Sequence, residues 1–322
     1  MFVNRFVKYL ATEKGRTLTL NTVVAAGVTT FCVNYVPNTI LVDKFKSLLM
    51  AYKQGDEREV PEQLQRRFGY AMDLCKCTDY EKNFLESFMT FGFDTMEIGS
   101  TKSRFGAHIG IPTNYLYDKI GDIERPDIRV RDKEIKWSSE DGITLQNSLV
   151  LTETEQVFGL ARSILMVKSH KLLLESFYPP VCIMGIYGVG HYINQKMRLH
   201  GRPLGMRLCL YTILSLFGYG LYSFMKDFTQ VYYETSADKK LAAIAPEFID
   251  AGITFYDKLL KKNVALRNLI GENIYSASGN ENFFLRQKSL PLTIRKSFFE
   301  LKKKELEEAA SATPATPTTS AS

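Results

Sequence analysis

The sequence contains little of what metal-dependent and nucleotide-dependent enzymes require. It has four histidines in 322 residues, and none of them forms an H-E-x-x-H pair. It also lacks the P-loop spacing, a G-x-G-x-x-G segment after a predicted strand, and the G-x-S-x-G turn that presents a nucleophilic serine. We therefore predict that the protein is not an enzyme and has no cofactor and no small-molecule substrate.

Charge is also missing, but only from three stretches of the chain. The uncharged windows are Thr17–Val42, Ser176–Gln195 and Leu208–Met225. A helix needs about 20 mostly apolar residues to cross the hydrocarbon core of a bilayer. The mean hydropathy of −0.13 and the charged fraction of 24% show that such spans are a minority of the chain.

These windows predict three transmembrane helices, at Leu18–Val36, Tyr178–Gln195 and Leu208–Met225. The last two are close enough in sequence to form a helical hairpin, with Pro179-Pro180 at its beginning. The alternative for each window is a buried helix of a soluble domain, and the length of the windows argues against it. The protein is predicted to be a multi-pass membrane protein.

Basic residues suggest the orientation of these helices. The net charge is +6, and the hairpin loop from Lys196 to Arg207 carries four Lys or Arg residues and no acid. By the positive-inside rule this loop and the basic N-terminus lie on one side, predicted to be the mitochondrial matrix. The amphipathic segment 1–16 is compatible with mitochondrial import or with simple anchoring of the first span. Because basic residues flank the spans and no zinc-finger or RNA-binding signature is present, we predict no nucleic-acid partner.

The rest of the chain is polar and predicts one mixed α+β domain. The predicted organisation is a basic segment (1–16), a first span (17–42), a central polar α+β region (43–171), a transmembrane hairpin (172–225), a C-terminal helical region (226–308) and a disordered tail (309–322). Within it we predict helices at 43–54, 61–75 and 293–308, a strand at 88–98 and a β-hairpin at 128–137. The fold class is therefore an α+β membrane protein with three transmembrane helices.

Two amphipathic helices are predicted to hold the central and C-terminal regions together. One begins at Thr152, where Thr152 and Glu155 form a capping-box pattern. The other spans about Glu247 to Lys261. Each has an apolar face, and burying one Leu or Ile side chain contributes about 1.5–3 kcal/mol. We therefore predict that they pack against each other, beside the strands.

Few residues stand out as sites. Cys75 and Cys77 form a C-x-C pair, which suits a soft metal such as Cu(I) but has no histidine or third cysteine nearby. Gly185 and Gly188 lie inside a predicted span, where small residues permit close helix packing, and His191 lies near its end. We treat Gly185, Gly188 and His191 as candidates for contact with a partner protein.

Several motifs together resemble those of the transmembrane protein 177 family of the mitochondrial inner membrane. They include Gly110-Ile-Pro112, Ile135-Lys-Trp137, Phe158-Gly-Leu-Ala-Arg162, Phe255-Tyr-Asp-Lys-Leu-Leu260 and Ser278-Gly-Asn280, in matching order around spans of matching placement. The resemblance does not extend to the Thr/Ser/Pro/Ala-rich tail. It implies a non-enzymatic role in the biogenesis of cytochrome c oxidase, stabilising newly made subunit II and the assembly chaperone of that subunit.

A weaker resemblance links residues 151–166 to the active-site helix of membrane zinc metallopeptidases. The H-E-x-x-H positions would fall on Arg162 to Met166, so both histidine ligands and the glutamate base are replaced. Glu247-Phe-Ile-Asp250 stands near the place where those enzymes carry an E-x-x-x-D segment, with a spacing one residue too short. The alternative function is therefore a metal-handling or degenerate metallopeptidase-like membrane protein centred on Cys75 and Cys77.

Overall fold

The computed structural model describes residue 9 and residues 12–53, 55–130, 133–271 and 274–312. The chain divides into two compact units. The membrane unit contains the described residues up to Leu48, together with Ile98–Ala107 and Val167–Tyr232. The polar unit contains Leu49–Glu97, His108–Met166 and the described residues from Tyr233 onward.

Helices dominate the described chain. In order they are α1 (Glu13–Tyr35), α2 (Val42–Leu49), α3 (Glu62–Leu74), α4 (Asp79–Asn83), α5 (Glu140–Leu149), α6 (Glu153–Val167), α7 (Lys171–Lys196), α8 (Leu204–Ile244), α9 (Glu247–Ile270) and α10 (Leu292–Ala312). The strands are β1 (Tyr52–Lys53), β2 (Asp56–Glu57), β3 (Leu85–Thr90), β4 (Met96–Gly99), β5 (Ala107–Pro112), β6 (Arg129–Val130) and β7 (Lys133–Glu134).

Three of these helices, α1, α7 and α8, are long and apolar enough to cross a membrane. Together with the strands of the polar unit they confirm the predicted fold class. Each helix begins before its predicted span, and α8 runs 41 residues to Ile244. At 1.5 Å per residue this is about 60 Å, twice the bilayer core of about 30 Å. The helix ends just before Pro246, which restricts the preceding residue to non-helical conformations.

The structure corrects the position of Pro179-Pro180. They lie inside α7 rather than at its beginning, because the helix starts at Lys171. Proline removes a backbone hydrogen bond, but membrane helices tolerate it where neighbouring groups compensate. Here α7 packs along α1, and a Cβ added to Gly27 would lie only 3.5 Å from Pro180 Cβ. The glycine therefore lets the proline-bearing surface approach α1 closely.

Small residues and side-chain hydrogen bonds also join α7 to α8. Asn194 Nδ2 donates to the Tyr211 hydroxyl at 2.6 Å, and the Tyr178 and Thr229 hydroxyls are 2.6 Å apart. A Cβ on Gly190 would lie 2.6 Å from the Tyr211 ring. Apolar burial gives no driving force between helices surrounded by lipid, so such close contacts and hydrogen bonds take its place.

The core of the polar unit is built around α6. Phe158 is fully buried, and its ring centroid lies 5.4–5.8 Å from those of four other aromatic rings. These rings belong to Phe248, Phe255, Tyr256 and Phe299. We predicted a single apolar face on α6, but the helix is buried on nearly all sides. This is why Gly159 is needed: a Cβ there would overlap the Tyr115 hydroxyl.

The predicted packing of the two amphipathic helices is confirmed. Phe158 of α6 meets three aromatic rings of α9, and Lys258 Nζ of α9 donates to Glu155 Oε2 at 2.6 Å. The capping box is present as well, with Thr152 N donating to Glu155 Oε2 at 2.7 Å and Glu155 N to Thr152 Oγ1 at 3.4 Å. Segments separated by two membrane helices in sequence thus share one core.

The strands differ from the prediction in one respect. The single strand predicted at 88–98 is two strands, β3 and β4, with Gly92 between them at φ +91°. They flank β5 in a three-stranded sheet of order β3-β5-β4. The predicted hairpin near 128–137 appears as β6 and β7, which pair antiparallel with Arg129 opposite Glu134. Its predicted turn at Asp132-Lys133 lies partly outside the described residues.

The remaining differences concern boundaries. The helix predicted at 43–54 ends at Leu49, and β1 follows it. Residues 98–107, predicted within the central polar region, group with the membrane helices, where the Ser100 hydroxyl donates to the Val167 carbonyl at 3.0 Å. Helix α10 continues to Ala312, four residues into the predicted tail. The other tail residues and most of the segment 1–11 lie outside the described residues.

Candidate functional site

Gly185 and Gly188 lie on an open face of α7. A Cβ added to either glycine would meet no atom within 4 Å, in contrast to Gly190 two residues further on. Apolar side chains surround the two glycines on the same face, and Val181, Met184 and Val189 are each 47–57% exposed. The bare backbone between them forms a shallow apolar groove along the helix.

His191 continues this face towards the end of α7. It is half-buried, its ring stacks on Tyr187 with centroids 5.9 Å apart, and its Nε2 lies 2.8 Å from Gln195 Nε2. Tyr192 beside it is 61% exposed. Polar and aromatic side chains at the end of an apolar helix are typical of the membrane–water interface. The structure therefore places all three predicted contact residues along one helix, with the two glycines uncovered.

Cys75 and Cys77 lie at the end of α3, where both side chains are buried. Cys75 Sγ contacts the Ala161 carbonyl oxygen of α6 at 3.5 Å, a weak hydrogen bond. Lys76 between them adopts a left-handed conformation with φ +50°. Within the residues that the structure describes, no three His, Cys, Asp or Glu side chains gather in a way that could hold a metal ion. The geometry gives Cys75 a packing role against α6.

Sequence reasoning missed a buried ion-pair network in the polar unit. Arg295 of α10 is 1% exposed and binds Asp238 of α8 through two hydrogen bonds of 2.7 Å. The Tyr256 hydroxyl donates to the same carboxylate at 2.7 Å. Glu234, one turn earlier, accepts from the Leu290 amide at 2.7 Å. It also pairs with Arg162 Nη2 at 3.4 Å.

The electrostatics of this network favour fixed charges. Burial raises the pKa of the Tyr256 phenol well above its usual value, so Tyr256 stays protonated and donates. Burial alone would lower the pKa of Arg295, but Tyr256 and Asp238 raise it overall. Two guanidinium groups thus face two carboxylates in a balanced set. A balanced, buried set of this kind fastens α10 and α6 to the end of α8 and offers no group for acid–base chemistry.

The network also corrects the placement of the E-x-x-x-D segment. We assigned it to Glu247 and Asp250, but both side chains are exposed, and Asp250 pairs with Lys303 at 2.8 Å. The E-x-x-x-D spacing occurs instead at Glu234-Thr-Ser-Ala-Asp238, and Glu234 faces Arg162, the first position of the replaced H-E-x-x-H pattern. A guanidinium group therefore lies against the carboxylate at this position. The signal in the sequence was a pair of acids one helical turn apart.

A groove of about 810 Å³ runs over the surface of α9. Its charged side chains are paired internally: Lys258 with Glu155 at 2.6 Å, and Asp257 with Lys261 at 2.7 Å and Lys296 at 2.8 Å. Charges that satisfy one another leave little to attract a charged small molecule. The groove is better suited to a polar protein surface.

Comparisons with known proteins agree with the motifs. The chain is 28% identical to human transmembrane protein 177 over 254 residues, which cover 77% of this chain and 81% of the relative. It is 28% identical to transmembrane protein 177 of Xenopus laevis over 303 residues, 92% of this chain and 95% of the relative. It is 29% identical to that of Danio rerio over 245 residues, 73% and 77% of the two chains. The chain belongs to the transmembrane protein 177 family.

Membership in the transmembrane protein 177 family confirms the resemblance drawn from the motifs. The name of these relatives describes a membrane protein, in agreement with the three apolar helices of this chain. No protein-family model and no solved structure matches the chain. The similarity to zinc metallopeptidases stays a prediction.

Proposed function

We propose that this member of the transmembrane protein 177 family is a non-enzymatic factor of the mitochondrial inner membrane. In this proposal it supports biogenesis of cytochrome c oxidase by stabilising newly made subunit II and the assembly chaperone of that subunit. Family membership supports the role, and one observation in the structure carries it: the open face of α7 around Gly185 and Gly188, which no side chain of the membrane unit covers.

This face suits a transmembrane helix better than it suits lipid. Helices in membranes associate where small residues let two backbones approach, because close packing and weak backbone contacts replace hydrophobic burial. Gly190 and Gly218 already serve this purpose inside the unit, against Tyr211 and Ile186. Gly185 and Gly188 have the same chemistry and point elsewhere. A helix of a client or partner protein is the occupant that fits them.

The polar unit supplies rigidity rather than reactivity in this account. Its aromatic core and the Arg295–Asp238 pair hold α6, the end of α8, α9 and α10 in one fold. A stable soluble unit attached to membrane helices suits a protein that holds another subunit while it matures. The proposed topology places the N-terminus and the loop 196–207 in the matrix, and the polar unit in the intermembrane space.

The test uses substitutions that fill the open face without disturbing the fold. Gly185→Leu/Gly188→Leu adds two side chains where nothing lies within 4 Å, and Gly220→Leu on α8 is a control at an equally open position. In mitochondria lacking the wild-type protein, pulse-labelled subunit II should decay faster with the double variant than with the control. Both variants should accumulate to wild-type levels.

Equal subunit II lifetimes in the two variants would remove the assigned role of this face. Loss of subunit II with the control as well would show that the effect is not specific to α7. Co-purification of the chaperone of subunit II should follow the same order.

A further inference from the structure

One end of the membrane unit gathers positive charge that the proposed function does not use. Helices α1, α7 and α8 alternate in direction, so the start of α1, the end of α7 and the start of α8 share one end. The basic residues there are Lys14, Arg16, Lys196, Arg198, Arg202 and Arg207, and Glu13 is the single acid among the described residues at this end. The opposite end mixes bases such as Lys44, Lys171 and Lys226 with the acids Asp43, Glu175 and Asp227.

These charges lie close together in space. Arg207 Nη1 donates to His200 Nδ1 at 2.8 Å, which requires a neutral histidine. Partial burial lowers the pKa of His200, and the positive charges of Arg207 and Arg16 lower it further. Arg16 of α1 is therefore near enough to the hairpin loop to act on its histidine. The loop and the start of α1 form one continuous positive surface.

Two of the arginines are presented without protein partners. Among the described residues no carboxylate pairs with Arg198 or Arg202, and both side chains are exposed. Arg198 also adopts a left-handed conformation, with φ 49° and ψ 41°. This conformation is unfavourable for a residue with a Cβ and is found most often at functional sites. Here it turns the chain at the tip of the hairpin, where Lys196 also lies above the Tyr192 ring at 5.7 Å.

We propose that this basic end, formed by Lys14, Arg16, Lys196, Arg198, Arg202 and Arg207, binds the phosphate headgroups of anionic phospholipids. The tyrosine at the same level marks the membrane–water interface, where such headgroups lie. Clusters of four to eight basic residues beside a transmembrane helix are attracted to anionic lipid surfaces. Arginine in particular binds phosphate through two parallel hydrogen bonds. The inference does not depend on the identity of the protein partner.

The experiment uses the full-length protein in nanodiscs of phosphatidylcholine containing a minor share of phosphatidylglycerol. Native mass spectrometry after release measures which lipid stays bound. The wild-type protein should retain phosphatidylglycerol well above its share. Arg198→Gln/Arg202→Gln should retain about fivefold less for each charge removed. Lys44→Gln/Lys171→Gln removes the same charge from the opposite end and should retain as much as the wild type.

Two further arms separate the outcomes. Arg198→Lys/Arg202→Lys keeps the charge and should hold most of the lipid, which guards against a folding defect in the glutamine variant. Inorganic phosphate at millimolar concentration should not displace the lipid. Displacement by phosphate would mean a site for free anions, and equal retention of phosphatidylglycerol and phosphatidylcholine by the wild type would overturn the proposal. Failure of the subunit II experiment would leave these outcomes unchanged.

Discussion

The membrane unit and the polar unit are built by opposite uses of the same side chains. In the membrane unit Leu216 and Phe217 of α8 are 68% and 70% exposed. In the polar unit Phe158, Tyr256 and Phe299 are fully buried, and an arginine is buried with them. Water drives apolar side chains inward, whereas lipid does not. Stability in the first unit therefore comes from close backbone contacts, and in the second from a dense core and its ion pairs.

The comparison predicts that the largest effect comes from the buried charges. Arg295→Ala leaves Asp238 uncompensated in the core, so we expect a loss of about 3–5 kcal/mol in the free energy of unfolding of the polar unit. Lys302→Ala, which breaks an exposed pair with Glu305, should cost about 1 kcal/mol or less. Hydrogen exchange of the α10 peptides in detergent-solubilised protein measures both. Similar exchange in the two variants would show that the pair does not hold α10.

Aromatic side chains should differ between the units in the same way. Phe158→Ala removes the ring at the centre of five and should destabilise the polar unit by about 3–4 kcal/mol. Phe217→Ala removes a ring that faces outward and should change stability by less than about 1 kcal/mol. Thermal unfolding followed by circular dichroism in the same detergent provides the comparison. A large loss in Phe217→Ala would mean that this outward face is packed against another protein.

Glycines of a single helix should separate packing from binding. Gly190→Leu places a side chain against the Tyr211 ring and should destabilise the hairpin by about 1–3 kcal/mol. Gly188→Leu has open space and should leave the stability unchanged or slightly raised. Resistance of α7 and α8 to proteolysis in detergent distinguishes the two. Equal sensitivity would contradict the assignment of Gly188 to an open face.

The smallest expected effect is a dependence on pH. Hydrogen bonds from Lys53 and Arg58 hold the pKa of Glu124 below its usual value. A carboxyl with a lower pKa in the folded state stabilises fully above its unfolded pKa of about 4.3 and loses that contribution as pH falls. Thermal unfolding of Glu124→Gln should therefore approach wild-type behaviour below pH of about 4 and fall slightly behind it at pH 7. Glu62→Gln at an exposed pair is the control, with little difference at either pH.

The sequence was informative where one local property decides the structure. Uncharged windows located all three apolar helices, and the Thr152 capping pattern located the start of α6. It was misleading where neighbours override local preference, as at Pro179 and Pro180, which α7 accommodates beside Gly27. It was silent about the Arg295–Asp238 pair, whose residues are 57 positions apart. Which distant charges meet depends on the complete fold, and no spacing rule encodes it.

The central claim is that the open face of α7 holds a helix of a partner protein. A photoreactive phenylalanine derivative at Gly188 tests it in isolated mitochondria, with the same residue at Gly220 as the control. The account predicts that illumination crosslinks position 188, and not position 220, to subunit II of cytochrome c oxidase or to its chaperone. Crosslinking of position 188 to lipid alone, or equal protein crosslinks from both positions, would contradict it.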